Sequence, residues 1–258
     1  MATCSTKTFE IIYTTLGMGV DKPFYGIDLG ADCPNLALWV RPMEYAASSI
    51  VDLLAFVPTS SQSPSDFEKT IFFFKTRQLT RCACDLCRYV VAPEFQKCIY
   101  GFTAVNSEEF KDKVMDLLCD GSEVRWVFAT IAAGMGTDIP DIVKSVIFGV
   151  EPLNEAFQKA GRAGRSKEMK ATMIWLVEPW VFEKPALSSD PVVPDENNVA
   201  PTKKAIADAE KRAQLDSAAQ EFINRSQLQH CMRQFVVAHF RPQPILPGFP
   251  RVNDHSNL

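Results

Sequence analysis

The sequence has no uninterrupted apolar run of the ~18 residues that a membrane-spanning helix needs, so no membrane span is expected. Its opening, MATCSTKTFEII, lacks a long apolar stretch behind a basic segment, and no secretory signal is read there. An excess of one charge sign is missing too. The 27 Lys and Arg face 31 Asp and Glu, for a net charge of −4. That balance argues against a general polyanion-binding surface and leaves room only for a local basic patch. No solenoid repeat is visible. Histidine is scarce, with three in the chain, whereas cysteine is not. The eight cysteines are Cys4, Cys33, Cys82, Cys84, Cys87, Cys98, Cys119 and Cys231. In a chain of this size with ordinary core residues they read as reduced thiols of an intracellular protein.

What is present is globular. The 258 residues suffice for one or two domains at the usual ~100–200 residues each. A content of 47% hydrophobic and 22% charged residues supports a sizeable core. Seven short apolar runs are strand candidates: FYGIDL (24–29), NLALWV (35–40), TIFFF (70–74), KCIYGF (97–102), VRWVFA (124–129), KSVIFG (144–149) and ATMIWLV (171–177). Several are apolar on consecutive residues, as in strands buried on both faces of a parallel sheet. Between them, SEEFKDKVMDLLCDG predicts a helix with Ser107 as cap, Glu108 and Glu109 in the first turn and Gly121 as stop. RQLTRCACDLCRYVV predicts another. The alternation reads as a doubly wound α/β domain, mostly parallel with helices on both faces.

Punctuation divides the rest. PTSSQSPSD (58–66) is a polar loop, and KPALSSDPVVPDENNVAP (184–201) reads as a linker. Residues 202–240 are rich in helix formers, without a breaker, and predict a C-terminal helical extension. The tail 241–258 carries four prolines and reads as disordered.

Two stretches carry the chemistry. In FQKAGRAGRS (157–166), two glycines three apart are each followed by arginine, Arg162 and Arg165. Glycine allows close backbone approach, and the guanidinium fork suits phosphate. Upstream, VFATIAAGMGTDIPDIVKSVIFG (127–149) holds an apolar strand, small residues including Gly134 and Gly136, a turn at Asp138 and Pro140, and a second strand. Loops leaving the carboxyl ends of strands in open α/β sheets bind ligands, and glycine-rich ones expose amides to anions. On that ground the small-residue loop and the arginines are expected to share one crevice.

Together, ATIAAGMGTDIP and QKAGRAGR resemble motifs V and VI of superfamily 2 helicases, most closely the RecQ-like DNA helicases. TIFFFKTR (70–77) resembles motif IV, and LGADCPNLALWVRP (29–42) the approach to the second motor domain. The resemblance covers roughly residues 10–180. It implies a RecA-like second domain over 31–183, preceded in 1–30 by a remnant of a first such domain. Gln158, Arg162 and Arg165 fall on positions that face the nucleotide, with Arg165 as arginine finger and Arg162 beside it. Asp138 and Gly136 fall at the nucleotide, and Thr130, Thr76 and Arg77 at the DNA backbone. Departures are Ser166 where an acidic residue is common, Lys159-Ala160 for a frequent polar pair, and a segment about two residues short between Pro152 and Gln158.

The first domain's signatures are missing. There is no Gly-Lys-Ser or Gly-Lys-Thr, and the one Asp-Glu pair, Asp195-Glu196, sits in the linker. ATP and Mg2+ are therefore expected only when a first RecA-like domain, in cis or in trans, completes the site, and this chain is expected to be inert alone. The implied partner is single-stranded or forked DNA, with 3'–5' movement in the whole enzyme and the nucleus as compartment. LGMGVDKP (16–23) imitates motif V but reads as a helix stop at Gly17 or Gly19. Cys82, Cys84, Cys87 and Cys98 lie in or beside a helix and read as thiols rather than zinc ligands. CMRQFVVAHF (231–240) resembles the start of a RecQ zinc-binding subdomain, but no further cysteine follows Cys231, so that site is incomplete. His230 and His239 on a helix are not read as ligands. Three other readings remain: a non-catalytic nucleic-acid-binding module, the corresponding half of an RNA helicase, and a nucleotide-binding oxidoreductase. The last is disfavoured by the incomplete glycine fingerprint.

Overall fold

The computed structural model describes residues 6–17, 33–119, 123–130, 139, 141–166, 168–183, 203–227 and 230–240. Six of the seven strand candidates are strands: β1 (Leu36–Pro42), β2 (Thr70–Phe73), β3 (Ile99–Phe102), β4 (Trp126–Ala129), β5 (Lys144–Phe148) and β6 (Ala171–Val177). The seventh, 24–29, lies outside the described residues. All pairings are parallel, in the order β1-β6-β5-β2-β4-β3. The α/β expectation therefore holds, with a wholly parallel sheet.

The two faces of the strands are filled differently. Ile71, Phe73, Val127, Ala129, Ile147, Met173 and Trp175 point into one core, which α3 (Glu108–Cys119) and α4 (Leu153–Ala160) cover. Phe72, Phe74, Trp126, Phe128, Val146 and Phe148 point into the other. That side is covered by α2 (Arg77–Val90) and by a 3-10 segment, Val51–Phe56, that supplies Leu53. Adjacent strands β2 and β4 place Phe72 opposite Phe128, stacked at 4.6 Å. Phe74 and Phe148 extend this aromatic ladder at 5.4 Å. Cross-strand aromatic contacts of this kind add roughly 0.5–1.5 kcal/mol each beyond burial. Burial on both faces is why the central strands read as unbroken apolar runs.

Helix starts follow side-chain chemistry. Thr76 caps α2, its hydroxyl accepting from the Leu79 amide at 3.2 Å. Ser107 accepts from the Phe110 amide at 3.3 Å, just ahead of α3. Helix α1 (Thr6–Thr15) ends in a turn in which the Gly17 amide bonds the Thr14 carbonyl at 3.2 Å, at the earlier of the two anticipated stops. Cys84, Cys87 and Cys98 are buried, whereas Cys82 is exposed. Burial pushes the Cys84 thiol up to about 11 and the Cys87 thiol up to about 12, so both are protonated side chains of the core. Among the described residues no three His, Cys, Asp or Glu side chains are placed to hold a metal ion. No described helix is long and apolar enough to cross a membrane.

The C-terminal extension differs from a continuous helix. It forms α5 (Lys203–Ala213), α6 (Ser217–Arg225) and α7 (Met232–Phe240). The break before α6 comes from Asp216, whose carboxylate accepts from the Ala219 amide at 3.0 Å and from the Leu153 amide at 3.1 Å. One side chain thus caps α6 and joins it to the first residue of α4. Phe222 packs on Phe157 and Trp175 at 5.3 and 6.0 Å, and Phe240 packs on Phe157 at 5.5 Å. Arg233 donates to the carbonyls of Cys33 and Leu36 at 2.8 and 2.7 Å. Helices α6 and α7 therefore share the core that α4 covers. The linker 184–201 and the tail 241–258 lie outside the described residues.

Candidate functional site

In a parallel sheet all strands begin at one edge and end at the other. The candidate residues divide between these edges. Ala129 is the last residue of β4 and lies in register with Phe73 of β2, which in turn pairs with Ile147 of β5. Thr130, Lys75, Thr76 and Arg77 therefore stand at the carboxyl edge. Thr130 is buried, and Lys75, Thr76 and Arg77 are exposed. Strand β2 leaves this edge towards β3 through α2, while β5 leaves it towards β6 through α4, so β2 and β5 flank the topological switch point.

The arginine turn lies at the opposite, amino edge. Helix α4 runs back against β5, so the residues after it return to where β5 and β6 begin. The amides of Gly161, Arg162 and Ala163 continue the helical pattern, bonding the carbonyls of Phe157, Lys159 and Ala160 at 3.0, 3.1 and 3.0 Å. Ala163 is buried, Arg162 half-buried, and Arg165 and Gln158 exposed. Gly164 then turns the chain at φ 71°. Its amide donates to the carbonyl of Ile142, two residues before β5, at 3.0 Å. A Cβ at Gly164 would stand 2.9 Å from the Ala171 Cβ and 3.0 Å from Asn35 Nδ2, so glycine is required there by both conformation and space.

Asn35 is the organiser of this turn. Its Nδ2 lies 2.7, 3.1 and 3.0 Å from the carbonyls of Gly164, Ser166 and Met169. Its own carbonyl accepts from the Ala171 amide at 2.8 Å, which ties the loop to the start of β6. Sequence reasoning missed Asn35 as a site residue. Its only signal was an amide side chain immediately before an apolar strand. Lys69 stiffens the same edge. Buried just ahead of β2, it pairs with Asp141 at 2.6 Å and also donates to the Leu118 carbonyl.

The single crevice expected from sequence joins the arginines to the small-residue loop, whose residues 131–138 lie outside the described residues; of the described candidates, Thr130 is not brought to the arginine turn. Thr130 and the arginine turn stand at opposite ends of the strands, roughly 15 Å apart for strands of four or five residues. The reason is the antiparallel course of α4 relative to β5. The stretch 127–149 nevertheless touches the turn, through Ile142. Gly136 and Asp138 lie outside the described residues.

A buried ion pair spans the two edges, also unanticipated. Lys159, near the end of α4, is 4% exposed, and its carbonyl accepts from Ser145 Oγ of β5 at 3.0 Å. Its side chain runs back over the Phe73 ring, 6.0 Å from the centroid, and pairs with Glu151, three residues past β5. Burial pushes the Glu151 carboxyl up, opposed first by the charge and hydrogen bond of Lys159; the Glu155 charge adds to the rise and the Lys75 charge opposes it least.

No protein-family model matches the sequence, and no curated protein matches it. Solved structures with similar folds include the DUF1998 helicase MrfA bound to DNA and AMPPNP, at 22% identity and a TM-score of 0.46. That likeness covers 55% of this chain and 20% of MrfA, so the chain spans about a fifth of that relative. The E. coli DEAD-box protein SrmB bound to RraA matches at 20% identity and a TM-score of 0.45, over 56% of this chain and 78% of SrmB. Domain 2 of the DEAD-box helicase Mss116p bound to an RNA duplex matches at 17% identity and a TM-score of 0.46, over 57% and 56% of the two chains. These are likenesses of chain path at low identity.

Proposed function

We propose that this chain supplies the second, arginine-bearing half of a superfamily 2 nucleic-acid motor, nearest in its motifs to RecQ-like DNA helicases. One observation supports this reading above others. The Gly164 amide, within QKAGRAGR, donates at 3.0 Å to the carbonyl of Ile142, two residues past the end of ATIAAGMGTDIP. In this reading a triphosphate lodges against the amino edge, held on its other side by a first RecA-like domain. Arg165, exposed on a clamped turn, meets the charge that develops on the γ-phosphate, with Arg162 and Gln158 beside it. Such a finger contributes about three to five orders of magnitude in rate in phosphoryl-transfer enzymes.

The described residues fit phosphate better than magnesium at this edge. Asp141, next to Ile142, is already paired with Lys69. The metal's ligands are therefore assigned to the other domain. The carboxyl edge, with Thr76, Arg77 and Thr130, tracks a nucleic-acid backbone. At a net charge of −4 that binding is weak and strongly salt-dependent.

The test joins the chain to a first RecA-like domain bearing Gly-Lys-Thr and measures ATP hydrolysis with single-stranded DNA. Arg165→Ala is expected to lower the stimulated rate by about three orders of magnitude or more. An unchanged rate rejects the finger. The chain alone is expected to hydrolyse no ATP, and robust turnover lost in Arg165→Ala would reject that inertness. The exposed, cationic start of α2 favours a second reading, a non-catalytic nucleic-acid-binding module. Salt-dependent oligonucleotide binding with no Arg165 effect in the joined protein would select it. Competition between DNA and RNA oligomers decides between the DNA and RNA branches.

A further inference from the structure

We infer that the C-terminal helix α7 braces the arginine turn, and that Arg233 is a positioning residue for Arg165, acting through Asn35. The inference rests on the reading above for what Arg165 meets, but not for the brace itself. Cys33-Pro34-Asn35-Leu36 is a turn in which the Leu36 amide donates to the Cys33 carbonyl at 2.9 Å. Proline suits the second position of such a turn, which leaves Asn35 at the third, on the corner. From there the Asn35 side-chain amide reaches the carbonyls of Gly164 and Ser166, at 2.7 and 3.1 Å. These are the two residues that flank Arg165.

Arg233 holds both ends of this turn. Its Nη1 donates to the Cys33 carbonyl at 2.8 Å and its Nη2 to the Leu36 carbonyl at 2.7 Å. One planar fork thus fixes the first and fourth residues, and its charge strengthens both bonds. Helix α7 is itself seated by the buried Phe235, Val236 and Phe240. Phe240 packs on Phe157 at 5.5 Å, and the Phe157 carbonyl accepts from the Gly161 amide at 3.0 Å. Helix α7 therefore touches both supports of the arginine turn: α4, which leads into it, and Asn35, which gathers its carbonyls. Without the Arg233 fork the turn at 33–36 keeps its Leu36–Cys33 bond but loses this tie to α7. Asn35 then moves more freely, and the backbone on either side of Arg165 moves with it. A group that must meet one phosphorus atom loses rate with a small misplacement. The path is bonded at every step: a guanidinium, two carbonyls, a corner amide, and the two carbonyls around Arg165.

Hydrogen exchange of peptides covering 161–171 reads the turn, with peptides from β4 as internal control. Arg233→Met in the full chain is expected to speed exchange there by at least about twofold and leave β4 unchanged. Arg233→Gln serves if Arg233→Met fails to fold. In an Asn35→Ala background, Arg233→Met should add nothing, because the two residues act in series. No response to Arg233→Met, or an equal response in both backgrounds, overturns the brace. A second arm joins the chain to a first RecA-like domain and measures ATP hydrolysis with single-stranded DNA. Arg233→Met is expected to lower kcat by at least about threefold, with KM for ATP nearly unchanged. In an Arg165→Ala background it should leave the residual rate unchanged, whereas a mere loss of folded protein would lower both rates alike. An exchange response with kcat unchanged, where Arg165→Ala lowers the rate, overturns the positioning role. If Arg165→Ala leaves the rate unchanged while the exchange response persists, the finger reading fails and the brace stands. If Arg165→Ala lowers the rate and Arg233→Met changes neither exchange nor kcat, the brace fails and the reading stands.

Discussion

The amino and carboxyl edges of this one sheet are built on opposite plans. At the amino edge almost every element is tied down. Asn35 gathers three carbonyls, Lys69 is buried against Asp141, and Gly164 fits where a Cβ would collide. At the carboxyl edge the cationic groups stand exposed on the first turn of α2, and Gly149 has nothing within 4 Å of where a Cβ would be. The difference teaches where precision is needed. In the proposed reading, the amino edge carries a group that meets charge developing on one phosphorus atom and has to be preorganised, whereas the carboxyl edge follows a flexible backbone and needs charge and reach more than fixed geometry.

Substitutions at two positive-φ glycines, one at each edge, sharpen this contrast most directly. Gly164→Val combines a left-handed backbone with collisions at 2.9 and 3.0 Å, and should cost about 3 kcal/mol or more in urea unfolding. A loss below about 1 kcal/mol would mean that the amino edge is not rigid. Asn35→Ala leaves the carbonyls of Gly164, Ser166 and Met169 without this donor and should cost about 2 kcal/mol by the same measurement. Gly149→Ala, at φ 91° in open space, carries backbone strain without collision and should cost about 1–2 kcal/mol. If it proved as damaging as Gly164→Val, the two edges would be equally constrained and the comparison would fail.

Which parts of this were legible follows from what each part depends on. The strands were readable because burial on both faces writes itself as consecutive apolar residues, as in TIFFF and ATMIWLV. Helix α3 was readable from Ser107 as cap and from its apolar spacing, and α2 from the run RQLTRCACDLCRYVV, whereas the Thr76 cap of α2 was not anticipated. The break inside 202–240 was missed although its cap is local, Asp216 accepting from the Ala219 amide three residues on; only the bond from the Leu153 amide is remote in sequence. The edge of the arginine turn was implied by the expected parallel sheet, because a crossover helix returns the chain to the edge where the next strand begins, and β5 and β6 are parallel. Asn35 was missed because its partners lie 129 to 134 residues away, and the Lys159–Glu151 pair, eight residues apart, because a Lys in a helix is ordinary.

The smaller effects belong to the carboxyl edge. Thr76→Ala removes the cap of α2, a hydroxyl accepting from Leu79 at 3.2 Å, and should cost about 1 kcal/mol in unfolding. Arg77 lies one residue on, exposed, at the start of the same helix. Arg77→Ala should leave stability within about 0.5 kcal/mol, as for a surface position. Its effect should instead appear in oligonucleotide binding measured across salt concentrations. Losing one phosphate contact weakens binding and flattens the slope of log K against log salt by about one. A variant that binds as tightly, with the slope unchanged, would remove Arg77 from the proposed phosphate-tracking edge and leave Lys75 and Thr76 to carry it. A variant that unfolds would instead place Arg77 among the structural residues, and the contrast between a clamped edge and a solvated one would have to be redrawn around it.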